Sequence, residues 1–264
     1  LMALSPGLVT AVLLTHFHCD HIGDLGELML KRWSNGTETI LLDVIGPPGV
    51  ESVVDGFNQA YRLDTQYRIW HHGPQTVPPT GAGGIGKAFR FPAGKTETLI
   101  LDEDGLKIMA FLVRHDPVSP SVGYRFDYRG RSVVISGDTR VTETVYEQFK
   151  GADILVHEAL QPEMVEVLRK IYQDLGRKNI ARIMEDILTY HTSPEDAADV
   201  AARAGVSHLV LTHITPPLPV TEFKAAFLGD AEEYFGGPIT IAEDGMMFSL
   251  PLEEKSIRFQ WLLL

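Results

Sequence analysis

An unbroken apolar, β-branched run, LVTAVLLT at residues 8–15, ends abruptly in HFHCDH at residues 16–21. Such a run, bounded by a polar cluster, predicts a buried strand that delivers its polar neighbours to a loop at its C-terminal end. Four possible ligands, His16, His18, Asp20 and His21, fall within six residues there. In a loop, His16 and His18 can point at one centre while Asp20 and His21 turn to another. Imidazole nitrogen and carboxylate oxygen suit zinc or a similar divalent ion, and manganese and iron accept the same donors. The single cysteine, Cys19, excludes an intramolecular disulfide and a thiolate cage, which argues against a closed structural site. A merely solvated polar loop is the competing explanation, and ligand density of this kind favours a functional site.

The rest of the chain is ordinary in bulk. Its 264 residues are 44% hydrophobic and 22% charged, which suits one large folded domain and excludes wholesale disorder. A formal net charge of -12 gives no bulk attraction for nucleic acid. No stretch has the ~18 apolar residues of a membrane span. The apolar N-terminus is broken by Ser5, Pro6, Gly7 and Thr10 and lacks a basic region, so it does not read as a signal peptide, and the expected location is the cytoplasm. The terminal WLLL is expected to pack on the core or on a neighbour rather than on a membrane.

Helical spacing covers 22–34, stopped by Asn35 and Gly36, and a helix is expected over 50–63 after a strand at 39–47. Residues 71–96, rich in Gly and Pro, predict a long loop with one short strand. Strands then follow, with Asp104-Gly105 and Arg129-Gly130 marking hairpin turns. ADILVHEA and SHLVLTHI are strands, 162–190 is helical, and Ser193 caps a helix whose first turn holds Pro194. A helix over 221–235 and a closing hairpin in ITIAEDGMMFSL complete the chain. The pattern predicts an α/β sandwich of two sheets with outer helices, one domain over 1–264.

The later polar strand ends repeat the theme of the first. His115 opens HDPVSPSVGYR, Asp138 lies in ISGDT and His213 in LVLTHI, each after a strand. H-x-H-x-D-H with these three in this order resembles the metallo-β-lactamase superfamily of binuclear metallohydrolases. The resemblance implies an αββα sandwich of two mixed sheets with outer helices. It also implies two divalent ions, zinc first and manganese or iron as alternatives. One ion would be held by His16, His18 and His115 and the other by Asp20, His21 and His213. Asp138 would bridge them and a bridging hydroxide would be the nucleophile, with Asp20 also orienting the attacking water. The superfamily places several strands before the first motif, and here 15 residues precede it. The first sheet is therefore expected to lack its initial strands, with a second copy covering the edge in a homodimer.

LVHEAL, with His157 and Glu158, and YHTSPEDAADVA, with His191, resemble motifs of ribonuclease Z and its arylsulfatase-like relatives, and Gly123-Tyr124-Arg125 fits the same branch. The resemblance implies that His191 protonates the leaving group and that Glu158 orients it. His157 is either a supporting or a core residue. Within the branch, His115 and Asp138 are only 23 positions apart, leaving no room for the arm with which bacterial ribonuclease Z clamps tRNA. With the negative net charge, this favours an arylsulfatase-like hydrolase of sulfate or phosphate esters, with a small-molecule ester rather than nucleic acid as partner. The alternatives are a ribonuclease Z-type tRNA 3′-processing endonuclease, a β-lactamase or lactonase, and a binding protein that has lost its metals. Tyr67, Trp70 and Phe89 are either stacking surfaces over an aryl pocket or plain loop anchors. His71 and His72 read as rim residues, and Cys19 as a small filler open to oxidation rather than a nucleophile.

Overall fold

The apolar run ahead of the histidines forms a three-residue strand, β1 (Ala11–Leu13), in the computed structural model, which describes residues 4–36 and 38–262. The chain divides into two compact units: the first closes in sequence at Phe91 and the second is Pro92–Trp261. In the first unit, β1 leads through α1 (Cys19–Ile22) and α2 (Leu25–Gly36) to β2 (Leu42–Gly46). Then α3 (Val50–Ala60) and α4 (Arg62–His72) lead to β3 (Gly84–Ala88). The three strands lie in the order β1-β2-β3, all parallel, as helical crossovers require. Leu42 and Val44 alternate into a core with Leu14, Leu25, Met29, Val50 and Val54, each fully buried side chain contributing about 1.5–3 kcal/mol. Asn58 of α3 fixes the start of β3: its amide nitrogen donates to the Gly84 carbonyl at 2.9 Å and its oxygen accepts the Gly84 N–H at 3.1 Å.

The helix expected over 50–63 is two helices, meeting at Tyr61, whose backbone (φ -90°, ψ 1°) interrupts the turn. Tyr67, Trp70, His71 and His72 consequently belong to α4 rather than to the Gly/Pro-rich loop, which begins at Gly73.

The second unit contains β4 (Glu97–Glu103), β5 (Leu106–His115), β6 (Val118–Tyr128), β7 (Arg131–Ile135), α5 (Glu143–Phe149), β8 (Ile154–Leu160), α6 (Pro162–Asp174) and α7 (Lys178–Ile187). It continues with α8 (Pro194–Ala204), β9 (His208–Thr215), α9 (Phe223–Leu228), α10 (Ala231–Tyr234), β10 (Ile239–Ile241), β11 (Met246–Ser249) and β12 (Arg258–Trp261). Seven strands form one mixed sheet in the order β10-β9-β8-β7-β6-β5-β4. Strands β4 to β7 meander antiparallel, and β7 to β10 run parallel. Two antiparallel steps separate β5 from β7, so β5 points the same way as β7, β8 and β9. Both hairpins turn as the sequence predicts: Asp104-Gly105 (φ 51° and 83°) and Arg129-Gly130 (φ 48° and 81°) take the left-handed conformation of tight hairpins. Ser193 caps α8, its hydroxyl accepting the Asp196 N–H at 3.0 Å.

Two expectations fail in the C-terminal part. β10 pairs in parallel with β9, while β11 pairs with β12, so ITIAEDGMMFSL is not a hairpin. Residues 221–235 break into α9 and α10 at Gly229, whose φ of 52° ends the first helix. Of the terminal WLLL, Trp261 lies in the exposed strand β12 and the last two leucines lie outside the described residues. Among the described residues no helix is long and apolar enough to cross a membrane.

Candidate metal centre

In the first unit the donors are consecutive, and the chain folds them together by turning sharply out of β1. His16 is fully buried, its Nδ1 3.2 Å from the Thr15 hydroxyl and its Nε2 3.0 Å from Nδ1 of His18. His18 is the N-cap of α1, a single turn that carries Cys19, Asp20 and His21. That turn lays the His21 ring over His16, centroids 4.1 Å apart, and sets His21 Nε2 3.4 Å from an Asp20 oxygen. Cys19 is exposed on α1 and fills no core.

In the second unit the donors are far apart in sequence and meet at one end of the sheet. His115 ends β5, Asp138 follows β7, Glu158 lies near the end of β8 and His213 near the end of β9. These strands run in one direction, so their C-terminal ends share an edge, the usual place for a site in an open α/β sheet. The ladder between β8 and β9 skips His213, because Thr212 pairs with Glu158 and Ile214 with Ala159. His213 has φ 49°, a conformation that non-glycine residues seldom adopt, and this bulge takes its ring out of the pairing pattern. Its Nε2 lies 3.5 Å from an Asp138 oxygen, and His115 Nε2 lies 4.0 Å from the same oxygen. His191, in the loop between α7 and α8, stacks on His213 with centroids 5.6 Å apart.

Glu158 organises this edge. It is buried, and one carboxylate oxygen accepts from the Thr139 N–H (3.2 Å), the Thr192 N–H (3.1 Å) and His191 Nδ1 (3.0 Å). Burial, then the nearby Asp138 charge, raises its pKa well above the ordinary carboxylate range. Thr192 adds a second tie, its hydroxyl donating to the Thr139 carbonyl at 2.5 Å. Tyr190 adds a third, its carbonyl accepting from His115 Nδ1 at 3.3 Å, which leaves Nε2 as the ring's acceptor. Thr139, Tyr190 and Thr192 went unnoticed in the sequence, although each adjoins a residue that was singled out.

His157 faces the other way, as strand alternation requires. It is fully buried, its ring packs edge-on against Phe149 (5.5 Å), and its Nδ1 donates to the Glu158 carbonyl at 2.7 Å. Burial lowers its pKa to about 4, so it is a neutral core histidine at pH 7. Arg125 is likewise structural, joining Asp127 (3.0 Å) to the Gln148 carbonyl (2.8 Å). Gly123 is needed because a Cβ there would come within 2.4 Å of the Phe111 ring and 2.6 Å of the Ser136 carbonyl.

The donor set fits divalent metal ions. Ligand atoms of His115, Asp138 and His191 lie within 4.8 Å of one another, and the same holds for Glu158, His191 and His213. They are nitrogen and carboxylate oxygen throughout, the chemistry of an open metal site without thiolate.

The family model described as the beta-lactamase superfamily domain matches residues 4–214. A "Ribonuclease Z" of Mycolicibacterium paratuberculosis is 35% identical over 238 residues, covering 89% of this chain and 78% of that protein. The chain belongs to the metallo-β-lactamase superfamily, in its ribonuclease Z branch. Another "Ribonuclease Z", from Mycobacterium sp. strain KMS, is 36% identical over 211 residues, covering 80% of this chain and 67% of that one. Among solved structures, human tRNase Z, short form, matches with a TM-score of 0.60 at 21% identity, covering 94% of this chain and 82% of that chain. The metallo-β-lactamase fold protein YhfI of Bacillus subtilis matches with a TM-score of 0.61 at 19% identity, covering 91% and 78%. These two likenesses show the fold. Membership in the superfamily makes the chain a metal-dependent hydrolase.

The ribonuclease Z relatives correct the expectation of an arylsulfatase-like hydrolase of small esters, and the choice of a small-molecule ester over nucleic acid. The 22-residue gap between His115 and Asp138, filled by β6, β7 and their turn, rules out one recognition arm and says nothing of the bond the site hydrolyses. Net charge averages over a surface, whereas a polyanion is held by local groups.

Proposed function

We propose that this chain is a tRNA 3′-processing endonuclease of the ribonuclease Z type. The observation that carries the reading is the 35% identity to a ribonuclease Z over 89% of the chain. The family match runs through both compact units, which supports their working as one hydrolase domain. The ligands in this reading are His16, His18, Asp20, His21, His115, Asp138 and His213, holding two divalent ions, zinc foremost. Such ions, when bound, supply Lewis acidity to the phosphoryl oxygens and make water nucleophilic at neutral pH.

The remaining work falls to side chains. Glu158 accepts from Nδ1 of His191 and so leaves Nε2 as the ring atom that delivers a proton to the leaving ribose oxygen. Tyr190 and Thr192, the neighbours of His191, tie that proton donor to His115 and to the Asp138–Thr139 segment. The expected result is endonucleolytic cleavage of a precursor tRNA at its 3′ side, abolished by a chelator and restored by zinc. Intact precursor after incubation with metal-replete protein, which nevertheless hydrolyses a small sulfate ester, would overturn the reading.

A further inference from the structure

An acidic protein with no room for a clamping arm between His115 and Asp138 needs another place to hold RNA, and one stretch of this chain differs in charge from the rest. Between Asp64 and Glu97 lie 32 residues without a carboxylate side chain, in a protein with 35 acidic residues in 264. Arg68, Lys87, Arg90 and Lys95 fall in that stretch, with His71 and His72. It begins on α4, where Leu63, Tyr67 and Trp70 recur at i, i+4 and i+7 and so share one helix face. They are 52%, 48% and 72% exposed, and the Tyr67 and Trp70 rings lie 5.9 Å apart. Arg62 and His71 border the face on opposite sides by helical geometry. Arg68 is matched by Asp64 at 2.6 Å, whereas the Arg62 side chain has no ion pair among the described residues. Beside the face, a cleft of about 290 Å³ within the same unit is lined in part by Asn58, Tyr61, Arg62, Thr65 and Gln66.

We propose that this face of α4 is an RNA-binding surface, on which an unpaired base stacks against Trp70 and Tyr67 while Arg62 meets the adjoining phosphate. The inference rests on the ribonuclease reading for its ligand. An exposed indole beside a phenol offers two π-faces, and stacking on them is tolerant of base identity. The polar groups of Thr65 and Gln66 in the neighbouring cleft can meet the edge of a base. A protein partner would call for a wider apolar rim, whereas arginine, histidine, threonine and glutamine surround this stripe. Asp64, the one carboxylate of α4, is paired with Arg68, so local repulsion is small where the chain as a whole repels a polyanion.

The test uses the whole protein, an unmodified mature tRNA transcript and a short oligouridylate. Trp33 is buried, and the exposed Trp261 is common to wild type and Trp70→Leu, so a quench lost in that variant belongs to Trp70. Single-stranded RNA should quench emission in the wild type, and Trp70→Leu should abolish the quench and raise Kd roughly tenfold. Tyr67→Leu should raise Kd by less, and Arg62→Gln should lower the slope of log Kd against log salt by somewhat under one. Wild-type Kd and salt dependence in Trp70→Leu would overturn the proposal. So would unchanged RNA binding together with a sedimentation shift from dimer to monomer, which would make the stripe a self-association face. Precursor cleavage assayed alongside separates the two claims. Trp70-dependent binding without cleavage defeats the ribonuclease reading alone, and cleavage with Trp70-independent binding defeats the surface alone.

Discussion

In the first unit, His16, His18, Asp20 and His21 are neighbours in space because six consecutive residues turn from β1 into a one-turn helix. In the second unit, His115, Asp138, Glu158 and His213 are neighbours because four strands run in one direction and stop at one edge, with a bulge at His213 to finish the geometry. A contiguous set depends on local conformation alone. A dispersed set depends on sheet order, on register and on buried hydrogen bonds such as those at Glu158. The second arrangement should therefore be the more sensitive to single substitutions.

The largest effect should come from Asp138, buried at the convergence of His115 and His213. Asp138→Ala should lower precursor cleavage by at least about a thousandfold and reduce metal content, with circular dichroism little changed. Turnover near wild type would remove Asp138 from the ligand set and, with it, the contrast between the two arrangements.

A smaller and more selective loss should follow at His191 and Glu158. His191→Ala should cut turnover by roughly 10²–10⁴ while metal content stays near wild type. Glu158→Gln keeps an acceptor oxygen of the same shape for Thr139 and Thr192, so it should fold normally and lose less, within about 10–100-fold. Elemental analysis decides the matter. Metal lost from His191→Ala would make His191 a ligand, as its closeness to His115 and Asp138 allows.

The contrast between the units also explains what a sequence discloses. The contiguous set was legible at once, because spacing alone put four donors in one loop. The order of His115, Asp138 and His213 was legible only through resemblance, since nothing in the residues announces that β5 is co-directional with β7, β8 and β9. The His213 bulge, the Thr192–Thr139 tie and the Tyr190 carbonyl were not legible at all, being backbone conformations and hydrogen bonds between distant segments. The hairpin turns and the Ser193 cap were legible because each rests on one or two adjacent residues with strong local preferences. The misassigned ends have the same origin: whether β10 joins β9 or β11 is decided by long-range pairing, not by the residues between them.

The smallest predicted effect concerns stability and separates His157 from the histidines at the edge. His157 is held neutral in the core with a pKa near 4, against an ordinary value of about 6.5 in the unfolded chain. Between those values the unfolded state binds a proton that the folded state does not, so stability must fall as pH drops from about 6.5 and the loss levels off below about 4. The shift corresponds to about 3 kcal/mol across that window. His157→Asn keeps a donor for the Glu158 carbonyl and carries no titrating group. The variant should be less stable than wild type at pH 7, because the packing against Phe149 is lost. Its melting temperature should nevertheless decline less between pH 7 and pH 4, so that the two curves converge. All other histidines are common to both proteins, so the difference between the curves belongs to His157. Parallel curves would mean that His157 is protonated in the folded protein and that β8 does not bury it as its alternation with Glu158 requires.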